Sequence, residues 1–269
     1  MAPSFPRALP ESSTSLPGIA NAIAFSSAKG GVGKSTVAVN VALALVRQGA
    51  QVGLMDADIY GPSLPVLTGA RDEPEVVDGN RIQPLEAHGL TMMSMGFLTQ
   101  QDSPVIWRGP LLGQAVQQFL QQVEWGDLDF LLIDMPPGTG DIALTLSQAA
   151  ALSGAVVVTT PQDVALQDVE RGVAMFEKVD VDILGLVENM SYYLCPQCDA
   201  RHEIFGHGGG RDTAARLGVP FFGGIPLDGR IREGGDQGEP VVLAEPESER
   251  GQAFRAVADG LLQSLQDLD

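Results

Sequence analysis

The run Lys29-Gly30-Gly31-Val32-Gly33-Lys34-Ser35-Thr36 packs three glycines, two lysines and two hydroxyls into eight residues. Glycines let successive backbone N–H groups converge on an anion without Cβ obstruction, and a helix opening after them adds the positive end of its dipole. That is phosphate chemistry. Gly30, Gly31, Val32 and Gly33 supply backbone, Lys34 reaches the β- and γ-phosphates, Ser35 ligates Mg²⁺ through its hydroxyl, and Thr36 completes the run. The usual pattern has glycine six residues before the lysine, where this chain has Ala28, so the loop is a variant with a second lysine, Lys29. The chain holds only three lysines, and two of them are here.

Acidic residues complete a nucleotide site. Leu131-Leu132-Ile133-Asp134 reads as an apolar strand ended by a carboxylate that can hold Mg²⁺ directly or through water. Asp56 and Asp58 follow another apolar run; one can orient a water on Mg²⁺ and the other the attacking water, or either can cap a turn. The loop Pro136-Pro137-Gly138-Thr139-Gly140-Asp141 offers a glycine N–H to a γ-phosphate, or is a rigid turn.

Cys195 and Cys198 are the chain's two cysteines and stand three residues apart. Two thiolates are half of a four-ligand site, so an all-cysteine site requires two copies of the chain, with two-fold symmetry as the usual arrangement. Other readings stay open. His202 and His207 follow, and could complete a zinc site within one chain. Cys-x-x-Cys could also be a dithiol redox pair, or two inert thiols.

The elements that must carry these groups alternate strand and helix, which predicts an α/β fold: a mostly parallel sheet with helices on both faces. Strands are expected over 20–26, 51–55, 128–133, 155–159, 183–187 and 221–225, and helices over 34–48, 111–123, 164–179 and 250–265, with loops and short strands over 61–90. Lys34, Asp58, Asp134 and Asn189 all follow strand ends, where such sheets bind ligands. Met92, Met93 and Met95 read as core, and Trp107-Arg108-Gly109-Pro110 as packing and ion pairing.

At 269 residues with 44% hydrophobic content, one large domain with a full core is expected over 18–269, after a Ser- and Pro-rich disordered tail over 1–17. The net charge of −18 argues against non-specific nucleic-acid or anionic-membrane binding. The last helix carries Asp259, Asp267 and Asp269 rather than a basic face, so it is expected to pack on the domain. With no transmembrane run and no secretory-type leader, a cytoplasmic location is expected.

The variant loop resembles that of the MinD-like ATPases. Longer strings resemble one branch: Asp56-Ala-Asp-Ile-Tyr-Gly-Pro-Ser63, Ile133-Asp-Met-Pro-Pro-Gly-Thr-Gly-Asp141, Thr159-Thr-Pro-Gln-Asp163, Val187-Glu-Asn-Met-Ser191 and Cys195-Pro-Gln-Cys198. These are similar to the Mrp/ApbC-type iron–sulfur cluster carrier ATPases. The resemblance implies a homodimer with ATP bound at both copies, and apo iron–sulfur proteins as recipients. It implies catalytic roles for Lys29, which reaches the partner's phosphates, Lys34 and the water-orienting Asp58. Asp134 resembles the Mg²⁺-site acid and Asn189 the reader of adenine. A [4Fe–4S] cluster would bridge Cys195 and Cys198 of two chains. A MinD/ParA-like partition or positioning ATPase, and an NTPase with a structural zinc, are the alternatives.

Overall fold

The computed structural model describes residues 5–7, 16–58, 61–77, 79–98, 109–138, 140–195, 197–198 and 200–268. In chain order the elements are β1 (Ala22–Ser26), α1 (Lys34–Arg47), β2 (Val52–Asp56), α2 (Leu64–Thr68), β3 (Val76–Val77), β4 (Arg81–Ile82), β5 (Leu85–Ala87) and β6 (Leu90–Ser94). Then come α3 (Gly109–Gln122), β7 (Phe130–Asp134), α4 (Gly140–Ala149), β8 (Gly154–Thr159), α5 (Asp163–Glu177), β9 (Ile183–Glu188), β10 (Tyr193–Leu194) and β11 (Arg201–His202). The chain closes with α6 (Gly209–Leu217), β12 (Phe221–Gly224), α7 (Gly229–Gln237), α8 (Val241–Ala244) and α9 (Glu249–Gln266).

The main sheet has the order β12-β9-β8-β1-β7-β2-β6-β5. Every pairing in it is parallel except that of β5 with β6. β1, β2 and β7 are buried along their whole length, because helices cover both faces and the strands can be apolar throughout. Alternate residues feed opposite cores: Leu54 and Leu132 join α1, α8 and α9, whereas Met55, Leu131 and Ile133 join α3 and α4. β1 lies between β7 and β8, so the connections diverge on either side of it and open a crevice beyond its carboxyl end.

The expected strands and long helices are present, with ends displaced by a few residues. The reading of 61–90 as loops with short strands missed α2, whose first turn holds Pro65, where proline is tolerated, and no strand was expected where β6 follows. The helices α4, α6, α7 and α8 also went unread: glycines inside α6 and α7, and the four-residue length of α8, erase a helical signature. Met92, Met93 and Met95 are core, as expected. Helix α9 buries Phe254, Val257, Leu261 and Leu265 against the domain. Within the stretch read as a tail, Phe5 stacks edge-on against Phe130, Pro6 accepts a hydrogen bond from Asn21, and Leu16 is buried. Trp107 and Arg108, Ile59, Tyr60, Thr139 and Pro196 lie outside the described residues.

Candidate functional site

The glycine loop leaves β1 and runs into α1. Gly31 and Gly33 both have φ +80°, the left-handed region that glycine alone enters cheaply. Gly33 caps α1 without a side-chain hydrogen bond to the first turn. The N–H groups there point where the helix dipole favours an anion. Ser27 Oγ donates to the Lys29 carbonyl at 2.8 Å and shapes the loop's entrance. From across the sheet, Asn189 Nδ2 donates to the Val32 carbonyl at 2.8 Å and fixes the far side.

Lys34 is buried, its ammonium paired with the Asp134 carboxylate and 3.3 Å from Ser35 Oγ. Burial pushes the Asp134 carboxyl above the usual range, while Lys34 and then Ser35 pull it back. A hydroxyl and a carboxylate thus stand together at the carboxyl end of β7, a hard-oxygen pair suited to Mg²⁺.

The two aspartates after β2 divide sharply. Asp56 is 1% exposed, and its oxygens accept from the backbone N–H groups of Asp58 (3.0 Å), Ser63 (3.1 Å) and Leu64 (3.3 Å) and from Ser94 Oγ (3.0 Å). Burial, and then the charge of Asp134, push it up to about 7. Of the roles left open for it, Asp56 takes that of a turn cap. Asp58 is half-buried and accepts from Gly61 N–H at 3.3 Å. In the neighbouring loop, Gly138 N–H is committed to the Ser27 carbonyl at 3.0 Å, which ties that loop to the phosphate loop.

Beside the glycine loop lies a cavity of about 440 Å³ lined by Gly33, Thr36, Asn189, Met190, Pro226 and Ile231, among others. Ser63, also on its wall, has a buried Oγ with no hydrogen-bond partner. Lys29 is exposed and stands 3.8 Å from Asp168 on α5, whose carboxylate also accepts from Arg171.

The cysteines stand apart from this crevice, on a hairpin formed by β10 and β11, which pair antiparallel as Tyr193 with His202 and Leu194 with Arg201. Cys195 N–H donates to the Ala200 carbonyl at 2.9 Å. Cys195 is half-buried and Cys198 exposed. The histidines go elsewhere: the His202 ring lies beside Tyr193, and His207 Nδ1 is 3.2 Å from Glu203. Among the described residues no three His, Cys, Asp or Glu side chains converge as a metal site.

A model of the family described as ParA: NUBPL iron-transfer P-loop NTPase matches residues 18–262. The chain belongs to this family. It is 49% identical to the iron-sulfur cluster transfer protein NUBPL of Dictyostelium discoideum over 251 residues, 93% of this chain and 78% of that one. With the iron-sulfur cluster carrier protein of Escherichia coli (strain K12) it shares 50% identity over 249 residues, 92% of this chain and 68% of that one. Among solved structures, a nucleotide-binding protein of Archaeoglobus fulgidus in complex with ADP superposes with TM-score 0.75 at 38% identity, covering 87% of this chain and 92% of that one. The septum site-determining protein MinD of Pyrococcus horikoshii OT3, complexed with Mg-ADP, superposes with TM-score 0.65 at 24% identity over 89% and 94%, a likeness of fold.

In this P-loop NTPase the residues expected around nucleotide do gather: Gly30 to Thr36, Asp58, Asp134 and Asn189 lie around the crevice beyond β1. Two groups escaped the sequence reading. Asp168 holds Lys29 from 139 residues away, and no spacing announces such a pair. Glu188, buried at the end of β9, accepts from Ser191 Oγ at 2.6 Å and Gly210 N–H at 2.5 Å, and so pins α6 beside Asn189. An acid closing an apolar strand was the available signal, the same one that marked Asp134.

Proposed function

We propose that this chain is a cytoplasmic, homodimeric iron–sulfur cluster carrier that binds ATP with Mg²⁺, hydrolyses it slowly, and passes a [4Fe–4S] cluster to apoproteins. The carrying observation is the exposed cysteine hairpin. It presents two thiols on one short hairpin, and the chain has no other cysteine, so an all-cysteine four-ligand site takes two copies. The names of the family's relatives support the same cargo.

In this reading the loop Gly30–Thr36 cradles the phosphates with backbone N–H groups, and Lys34 leaves Asp134 for the β/γ-phosphates. Ser35 and Asp134 hold Mg²⁺, which when bound neutralises phosphate charge. Asp58 orients the attacking water, and catalysis is positioning and charge neutralisation. Lys29 exchanges Asp168 for the phosphates of the facing copy. Asn189 and the adjoining cavity take the adenine. In this reading one two-fold axis has to serve both sites, setting the nucleotides face to face and the two cysteine pairs together.

Anaerobic reconstitution of wild type and Cys195→Ser tests the reading, with iron, acid-labile sulfide and mass measured together. About four iron and four sulfide per dimer in wild type, lost in Cys195→Ser with ATP binding retained, is expected. A full cluster complement in Cys195→Ser refutes the site, and one zinc per chain with no iron uptake refutes the carrier.

A further inference from the structure

The hairpin carrying Cys195 and Cys198 has strands of only two residues each, in a sheet of its own. A two-stranded hairpin is marginal by itself, so its orientation depends on what ties it to the domain. Among the described residues the backbone ties to the domain lie at its base: Ser191 N–H donates to the Ile225 carbonyl and Leu227 N–H to the Tyr192 carbonyl. Beyond that point side chains add to the hold. The two-residue period places Tyr192 and Leu194 on one face, with Arg201 diagonal to Tyr192 across the ladder. The Arg201 guanidinium lies 3.9 Å from the centroid of the Tyr192 ring. Tyr192 is itself buried, and its hydroxyl donates to Glu249 at 2.8 Å in the first turn of α9. Arg201 Nε donates to Glu203 Oε1 at 2.8 Å, at the hairpin's exit. A line of contacts thus runs from α9 through a fixed ring to a guanidinium one step across from the residue before Cys195. Arg201 is also the only Lys or Arg between Met190 and Glu203, in a chain of net charge −18.

We propose that the Tyr192–Arg201 stack is the positioning device of the cysteine hairpin, fixing the angle at which the two thiols meet those of a second copy. This rests on the carrier reading above. A site shared between chains demands it: its ligands must be held to a fraction of an ångström, and a hairpin free to swing loses that order on each side of the interface. Arg201 and Tyr192 are positioning residues; neither is assigned a bond to the cluster.

Four variants separate the stack from its alternatives. Arg201→Ala removes the cation, and Tyr192→Leu removes the ring. Arg201→Lys keeps a cation over the ring, and Tyr192→Phe keeps the ring without the Glu249 bond. Two readouts are taken: hydrogen exchange over 193–202 in metal-free protein, and the rate of cluster loss to a chelator after anaerobic reconstitution. The expected result is exchange and cluster loss both faster by about tenfold, ~1.4 kcal/mol, in Arg201→Ala and Tyr192→Leu, with smaller increases in Arg201→Lys, which keeps the cation without the planar stack, and in Tyr192→Phe, which keeps the stack but frees the ring from Glu249. Exchange in α1 serves as the control for global unfolding. Wild-type exchange in Arg201→Ala overturns the proposal, as does faster exchange without faster cluster loss. Faster cluster loss in Arg201→Ala but not in Tyr192→Leu overturns the stack in favour of charge alone. A wild-type chain that takes up no cluster sinks the carrier reading, and this inference with it, whatever the exchange shows.

Discussion

Replacing Gly33 by alanine is expected to damage the phosphate loop far more than the same change at Gly31, although both residues have φ +80°. Each alanine bears the cost of left-handed backbone, roughly 1–2 kcal/mol. At Gly31 nothing lies within 4 Å of the new methyl, so the cost stops there. At Gly33 the methyl would stand 2.2 Å from Asn189 Nδ2, which must withdraw. Its hydrogen bond to the Val32 carbonyl is then lost inside the protein, adding roughly 1–3 kcal/mol. Gly33→Ala should therefore lose about 2–5 kcal/mol and Gly31→Ala about 1–2 kcal/mol. Denaturant unfolding without nucleotide measures both, free of any effect on phosphate contacts. Asn189→Ala completes a double-mutant cycle: with the amide gone, most of the excess at Gly33 should vanish. Equal losses at the two glycines, or a Gly33→Ala penalty that Asn189→Ala does not reduce, would refute the reasoning.

Lys34→Met should destabilise the fold by roughly 3–5 kcal/mol at neutral pH by stranding the Asp134 carboxylate, and mild acid should restore part of the loss as Asp134 takes up a proton; an unfolding midpoint insensitive to pH in this variant contradicts the pairing. Asp56, pushed up to about 7 from 3.8, binds a proton in the folded chain over a range where the unfolded chain has released it. Stability from this group is therefore full below about pH 4 and falls as pH rises toward 7, by on the order of a few kcal/mol. Asp56→Asn should flatten that slope while lowering stability throughout, and unfolding at three pH values reads both effects. Leu261→Ala, at a fully buried position of α9, should cost about 2–5 kcal/mol and leave ATP affinity unchanged, as measured by denaturation and by nucleotide titration.

What could be read in the sequence was what is decided locally. The glycine loop declares itself because left-handed backbone and close approach to an anion demand glycine at fixed steps. Asp134 declares itself only beside the glycine loop, since buried strands often close on an acid, as β2 does at Asp56 and β9 at Glu188. Asp56 and Asp58 looked alike from sequence, since both follow the same strand. What separates them is tertiary: Ser94 Oγ reaches Asp56 from 38 residues away, and α2 folds its first N–H groups onto the same oxygen. Phe5, in a Ser- and Pro-rich stretch, was hidden for the same reason, because its partner Phe130 lies on β7. The glycine-bearing helices α6 and α7 escaped because packing, not propensity, holds them.

The two ends of the proposed machine share one short stretch of chain. Asn189 grips the phosphate loop, Glu188 and Ser191 hold each other, and Tyr192 carries the arginine that steadies the cysteine hairpin, all within five residues. Between them Met190 has φ +55°, a conformation that a methionine pays strain to keep. Such a turn is held by its surroundings on both sides, and Asn189 and Tyr192 are those surroundings. A nucleotide that draws Asn189 toward its base therefore pulls on the same backbone that sets the hairpin's base. If nucleotide and cluster influence one another within a single chain, the 188–192 segment is the shortest covalent route, and Met190→Gly is the change that slackens it. Met190 also lines the cavity proposed for the adenine, so the variant is compared at saturating ATP, where weaker dependence of cluster loss on ATP is the expected outcome. An undiminished dependence would move the coupling to the proposed interface between copies, through Lys29 and the facing cysteines.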